Sequence, residues 1–386
     1  MRVAIVGGGI GGLATSIVLR AAGCDVRVYE RRPEPEVGGG ALLIWPNGAG
    51  ALRTLGLWDA VLAPASKVDR VDFCTAAGAT SAVWGVSPSR GERVQVVVRA
   101  DLLRGLRSRV PANVVEYGAR FSGFTQRGDE VQLSFDGSKR VESADVLIGC
   151  DGVHSCVHAQ LFGEPPEPVV RQLVWFAIVP FGDVERLPAG VAQATTGDGR
   201  RFCVARLDAE RVYWYATANV SHRPQPSGLD AGQDPQTRDV ARVARVFHGW
   251  HPLVRDVIAA SEGAVVGPIT PPDRLPLRRW GRGRVTLLGD AAHACLPDLG
   301  QGAGQALEGA VALGACVGYD VEGWLRRYEG LRRQSATVAI RTSRFLATWS
   351  MSEAVHVKSF RDFLAPHILP LIGFPIISRV AQHGFR

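Results

Sequence analysis

The chain has 386 residues, 46% hydrophobic and 21% charged, with a mean hydropathy of +0.05. That is long enough for two to three domains and too apolar for a disordered chain. The formal charge of +7 comes from 44 cations against 37 anions; only Lys67, Lys139 and Lys358 are lysines, so arginine is the working cation. The arginines are scattered rather than gathered into a basic run, which argues against nucleic acid and for an anionic small molecule gripped bidentately. Seven cysteines without a C-x-x-C pair point to neither a disulfide framework nor a zinc site. His154 and His158 lie four apart with no third ligand nearby, so no metal site is expected.

No stretch reaches the roughly 18 apolar residues of a membrane helix. The apolar run after Arg2 is interrupted by five glycines in a different pattern, so an uncleaved, cytoplasmic protein is expected.

Val3 to Val6 is a short apolar β run, followed by Gly7-Gly8-Gly9-Ile10-Gly11-Gly12, a helical pattern through Leu13, Ile17 and Leu19, and a second strand from Val26 to Tyr29. Gly7, Gly9 and Gly12 thus form G-x-G-x-x-G between a strand and a helix, the context of a dinucleotide site. Gly7 makes the tight turn, Gly9 lets backbone approach a pyrophosphate, and Gly12 packs helix on strand. Glu30, 18 residues after Gly12, is placed to accept ribose hydroxyls. An acid there disfavours a 2′-phosphate; FAD and NAD remain open at this point.

Val71 to Cys74, Val94 to Val98, Leu173 to Pro180, Arg201 to Leu207 and Arg211 to Asn219 alternate as strands of a sheet with one wet face. Among its aromatic and cationic side chains are Phe73, Trp84, Trp175, Arg206, Tyr213, Trp214 and Tyr215. Arg206 suits an anionic or phenolic oxygen, and Tyr213 or Tyr215 could relay a proton. The hairpin at Asp208 to Glu210 has two registers: a two-residue loop pairs Arg206 with Tyr213, and a three-residue loop puts it opposite Val212 on the Trp214 face. Pro224 to Gln236 reads as a surface loop.

Ala144 to Cys150 reads as a buried strand ending in Asp151-Gly152. Val285 to Leu288 runs into Gly289-Asp290-Ala291-Ala292-His293, then Pro297, Gly300-Gln301-Gly302-Ala303-Gly304 and a helix from Gln305 to Cys316. Asp290 can accept a ribityl hydroxyl, and the following helix N-terminus can stabilise negative charge on a flavin. His293 reads as a support of the motif rather than a base. Beyond residue 339 the text is helical and then breaks at Pro366, Pro370 and Pro375 in a tail expected to serve as a lid or brace, without stable membrane insertion.

These three glycine and acid motifs in order, with Trp45-Pro46-Asn47-Gly48 and Arg99-Ala100-Asp101-Leu102, resemble the group A FAD-dependent aromatic hydroxylases of the para-hydroxybenzoate and salicylate hydroxylase type. The resemblance implies an α/β fold: a Rossmann-like FAD-binding domain (1–71, 99–171, 265–338) interleaved with a β-sheet substrate domain (72–98, 172–264), plus C-terminal helices (339–386). It implies FAD, reduced by NAD(P)H and reacting with oxygen to a C4a-hydroperoxide that hydroxylates or epoxidises an aromatic or polycyclic small molecule. Gly9, Gly11, Gly12, Glu30, Arg31, Arg99, Asp290, Gly302, Ala303 and Gly304 would contact FAD, and Asp151 both flavin and nicotinamide. The resemblance places the substrate between the sheet and the flavin, which makes Phe73, Trp84, Trp175, Arg206, Tyr213, Trp214 and Tyr215 candidates for the pocket; Phe73, Trp84, Arg206 and Trp214 would meet the substrate. The many aromatics suggest a hydrophobic substrate, and a monomer or homodimer is expected. His158, Gly304 and Gly309 depart from the family's usual Arg, Asn and Asp. These departures leave two rivals, a reductase of the same fold that never activates oxygen and a flavin binder without turnover.

Overall fold

The computed structural model describes residues 1–36, 39–85, 93–137, 140–164, 170–222, 235–271, 273–318 and 320–353. The chain begins β1 (Arg2–Val6), α1 (Ile10–Ala21), β2 (Asp25–Glu30), β3 (Ala41–Ile44) and α2 (Pro46–Thr54). β4 (Ser66–Val68), β5 (Arg70–Thr75), β6 (Thr80–Gly85) and β7 (Val94–Val98) lead into α3 (Arg99–Ser108). Next come β8 (Val115–Tyr117), β9 (Phe121–Arg127), β10 (Glu130–Phe135), β11 (Val141–Ala144), β12 (Val146–Gly149) and α4 (Cys156–Phe162). The middle of the chain is β13 (Gln172–Pro180), β14 (Val191–Gly197), β15 (Arg200–Arg206), β16 (Arg211–Asn219), α5 (Pro235–Val246), α6 (Pro252–Ala259) and β17 (Val266–Ile269). It closes with β18 (Gly281–Arg282), β19 (Val285–Leu287), α7 (Asp290–His293), α8 (Gly302–Ala315) and α9 (Val321–Ser350).

The first sheet has the order β18-β19-β12-β1-β2-β8, and every pair except β18/β19 is parallel. Its central strands are buried throughout, Val3 to Val6 and Val146 to Ile148 being 4% exposed or less, as parallel strands covered on both faces must be. α1 and α8 pack together against it.

The second sheet has the order β17-β13-β16-β15-β14-β5-β6, antiparallel except for β14 beside β5. The two faces of this sheet differ in exposure, as its alternation leads one to expect. One face carries Trp175, Phe202, Val212, Trp214 and Ala216 and is buried under Val243, Phe247, Val254 and Val257 of α5, α6 and their connection. The opposite face carries Phe73, Tyr213 and Tyr215 and walls a cavity. Val94–Val98 forms a strand as expected but joins β3 and β4 in a separate three-stranded sheet. The sheet β11-β10-β9 was not anticipated from the sequence.

α8 starts three residues before the expected Gln305, because Gly300 makes the left-handed turn (φ +63°) and Gln301 already occupies the N-cap. Pro235 and Gln236 of the expected surface loop belong to α5, while residues 224–234 and the tail 354–386 lie outside the described residues. Among the described residues no helix is long and apolar enough to cross a membrane, and no cluster of three His, Cys, Asp or Glu could hold a metal.

Candidate active site

The dinucleotide turn is set by backbone that tolerates no side chain in two places and leaves room in a third. A Cβ on Gly7 (φ +104°) would stand 2.3 Å from Cys150 O, and one on Gly12 would stand 1.9 Å from Gly7 O. On Gly9 it would meet no protein atom within 4 Å. Gly9 is also the N-cap of α1 and offers no side-chain cap, so the first N–H groups of α1 face that open space. Closed packing behind and an open, donor-rich approach in front suit a pyrophosphate. Glu30 at the end of β2 accepts from Gly8 N at 2.7 Å (Oε2) and from Arg32 N at 2.9 Å (Oε1), which fixes its carboxylate at the rim of the turn.

The other expected cofactor residues are placed differently from one another. Arg99 opens α3 and donates to Glu36 Oε1 at 2.5 Å. Arg31 is exposed. Asp151 is turned into its own chain, accepting from Ser155 Oγ at 2.6 Å and Val157 N at 3.2 Å, so it organises the start of α4; burial pushes its pKa up. Asp290 opens α7 and is solvent-exposed, yet the surrounding protein raises its pKa, and the Arg274 and Arg99 charges pull it back.

His293, at the end of α7, is 3% exposed and packs on Trp280 with ring centroids 5.3 Å apart. Burial, aided by the Arg332 charge, pushes its pKa down to about 3, so it is a neutral structural ring. Its folded pKa is depressed and the unfolded chain binds the extra proton, so its contribution is lost as pH falls from about 6.5 towards 3. Stability should drop by about 2 kcal/mol between pH 6.5 and 5 through this group alone. Urea midpoints at the two pH values should show that component in the unaltered protein and lack it in His293→Gln.

α8 begins at Gly302 behind the N-cap Gln301, whose side chain makes no cap bond. It joins instead a buried polar chain. Asn47 Nδ2 donates to Gln301 Oε1 and to Glu308 Oε2, both at 2.9 Å, and Arg332 Nη2 donates to Gln305 Oε1 at 2.8 Å and Glu308 Oε2 at 3.0 Å. Gly304 lies against α2: a Cβ on Gly48 would be 3.2 Å from its Cα, and one on Gly304 would be 3.4 Å from Asn47 Nδ2. The space beside position 304 is thus taken up by Asn47 of α2. Gly309 has room, since a Cβ there would meet Leu288 Cγ at 3.5 Å and Tyr328 Oη at 3.6 Å, ordinary contacts. Gly309→Ala should accordingly raise stability by roughly 0.5–1 kcal/mol through helix propensity, read as a higher Tm with unchanged FAD content. At His158 the ring is buried, packs on Phe162, and is kept neutral by burial and by the Arg274 charge.

A cavity of about 480 Å³ lies between the second sheet, the β3-β7-β4 sheet and α9. Phe73, Trp84, Tyr213 and Tyr215 line it, with Trp45, Leu346 and Trp349; Trp45 and Trp84 lie 5.8 Å apart. Its polar corner is Arg201, Asp298, Cys203 and Tyr215. Arg201 is ion-paired with Asp298, whose side chain is fully buried, and its guanidinium lies 5.8 Å from the Tyr215 ring. Burial holds the Tyr215 phenol well above its usual range, and that of Tyr213 is raised too, so both stay protonated near neutral pH. Asp298 and Leu299 line the cavity and directly precede the Gly300 turn of α8, so substrate space and cofactor turn share one segment.

Two expected substrate residues are corrected. The hairpin has the three-residue loop, pairing Arg206 with Val212, so Arg206 points away from the cavity and its Nε donates to Asp208 O at 2.8 Å. Trp214 shares that far face, stacks on Phe202 with centroids 5.1 Å apart and donates to Ser261 Oγ at 2.8 Å. Trp175, one of the candidates, is buried there as well. Arg201 was missed, though strand parity reveals it: Cys203 pairs with Tyr215 and Ala205 with Tyr213, so Arg201 shares their face and Arg206 cannot.

A family model described as "FAD binding domain" matches residues 1–343. The chain belongs to the FAD-dependent aromatic hydroxylases. It is 33% identical over 344 residues to an FAD-dependent urate hydroxylase of Klebsiella pneumoniae subsp. pneumoniae, covering 86% of each chain. It is 34% identical over 365 residues to 3-amino-4-hydroxybenzoate 2-monooxygenase of Streptomyces cremeus, covering 90% of this chain and 87% of that one. The crystal structure of Klebsiella pneumoniae HpxO complexed with FAD and uric acid superposes with a TM-score of 0.85 at 27% identity, covering 99% of this chain and 96% of that one. This hydroxylase is thus an FAD-dependent monooxygenase, with NAD(P)H the family's electron donor.

Proposed function

We propose that this hydroxylase oxidises an apolar fused-ring aromatic held in the 480 Å³ cavity, with FAD lying along the segment from Gly300 to Gly304. The observation that carries the reading is a largely apolar, aromatic-walled chamber with the buried Arg201–Asp298 pair beside the α8 turn. The volume falls within the roughly 300–1,000 Å³ of small-molecule sites. The named relatives act, by their names, on urate and an aminohydroxybenzoate, both planar rings, and the Trp45, Trp84 and Phe73 walls suit a planar ring here.

Gly9 with the α1 N-terminus and Glu30 would hold the adenosine diphosphate end, Asp290 the ribityl chain, and the α8 N-terminus the pyrimidine edge of the flavin. The chemistry FAD supplies when bound is reductive oxygen activation and transfer of one oxygen atom. The chain's own residues orient the ring and exclude water. Arg201, neutralised by Asp298, and the protonated Tyr215 phenol would present hydrogen-bond donors to a ring oxygen. The decisive test supplies NAD(P)H and ¹⁸O₂ with a panel of fused-ring phenols. One ¹⁸O atom in the product is expected. Steady NAD(P)H oxidation to peroxide across the panel, with no label in any product, would overturn the fused-ring substrate class.

A further inference from the structure

We propose that Asp298 is a specificity-determining residue: by cancelling the charge of Arg201 inside the cavity, it selects neutral ring carbonyls or hydroxyls and rejects carboxylates. The inference rests on the cavity being the substrate site. Arg201 is 9% and Asp298 0% exposed in their side chains, and one Asp298 oxygen accepts directly from Arg201 Nη2. Gln172 Nε2 lies 3.5 Å from the other oxygen. Among the described lining residues Arg201 is the one cation; the remaining charged residue there, Asp198, is paired with Arg200 at the exposed end. The chamber therefore offers an anion no net positive charge. A carboxylate entering it loses its hydration, which costs several kcal/mol, and meets a guanidinium already engaged by a closer carboxylate. A neutral oxygen loses far less hydration and can still approach the edge of the Arg201 guanidinium, which lines the cavity.

The test titrates the oxidised holoenzyme at pH 7 with 2-naphthol and 2-naphthoate, one ring system in neutral and anionic form, and reads the perturbation of the flavin absorbance. In the unaltered protein the naphthol should bind at least about tenfold more tightly. In Asp298→Asn, which unmasks Arg201, naphthoate should gain at least about tenfold while naphthol stays within about threefold. Naphthoate binding the unaltered protein as tightly as naphthol would overturn the proposal. So would an Asp298→Asn protein of full FAD content with unchanged naphthoate affinity. If that variant fails to retain FAD, the ratio in the unaltered protein decides alone. Binding of neither ring would instead overturn the cavity as substrate site, and this inference with it, an outcome distinct from equal binding of both.

Discussion

Gly12→Ala is expected to give a protein that no longer retains FAD. The added Cβ would stand 1.9 Å from Gly7 O, and the clash is with backbone, so no side chain can swing aside. Gly7 cannot yield either: its own Cα hydrogen side faces Cys150 O at the end of β12, and its N–H is tied to Tyr29 O at 2.8 Å. Relief requires α1 to lift from β1 by more than an ångström, which breaks the packing of Leu13 and Leu19, both fully buried. The cost should lie at or above the upper end of the roughly 1–3 kcal/mol typical of overpacked cores. Gly9→Ala separates binding from folding at the same turn. Its backbone (φ −79°) accepts any residue and its Cβ meets no protein atom, so the apoprotein Tm should stay unchanged. The methyl would occupy the space proposed for the pyrophosphate, so FAD affinity should fall at least about tenfold. A Gly12→Ala protein with native FAD content and Tm, or a Gly9→Ala protein with native FAD affinity, would contradict this account of the turn.

The cofactor side was legible because its constraints are local. A glycine that must admit a crossing backbone and an acid at a fixed distance from it leave their mark within thirty residues, and both ends of the motif, Gly7 to Gly12 and Glu30, are found together at the tips of β1 and β2. The substrate side depends on parity and on long-range pairing. One residue of loop length decided whether Arg206 or Arg201 enters the cavity, and the side chain of Asp208, accepting from Glu210 N at 3.0 Å and Arg211 N at 2.8 Å, closes the loop at three. Asp298 read as a spacer within a glycine motif, and only the fold brings it against a strand 97 residues earlier. Asn47 and Glu308, 261 residues apart, meet for the same reason.

Arg332→Met should destabilise the protein by about 3–5 kcal/mol, the usual cost of stripping one partner from a buried ion pair. Arg332 and Glu308 are each 4% exposed in their side chains, and the second Glu308 oxygen, Oε1, is buried with no hydrogen-bond partner in addition. Without the guanidinium, Glu308 keeps only the neutral amides of Asn47 and Gln305, at 2.9 and 3.2 Å, which cannot balance a full charge away from water. The double variant Glu308→Gln/Arg332→Met removes both charges and keeps an amide-sized group in the network, so it should recover most of the loss. Urea unfolding of the two single variants and the double variant closes the cycle, and a coupling below about 0.5 kcal/mol would show that the pair does not act as a unit. The same pair bears on the cofactor. Glu308 and Arg332 hold Asn47 and Gln305, which in turn hold Gln301 at the N-cap of α8, so Arg332→Met should also weaken FAD retention although Arg332 lies on α9. Restoration of FAD affinity in the double variant, in parallel with stability, would tie the orientation of the α8 N-terminus to this buried charge pair.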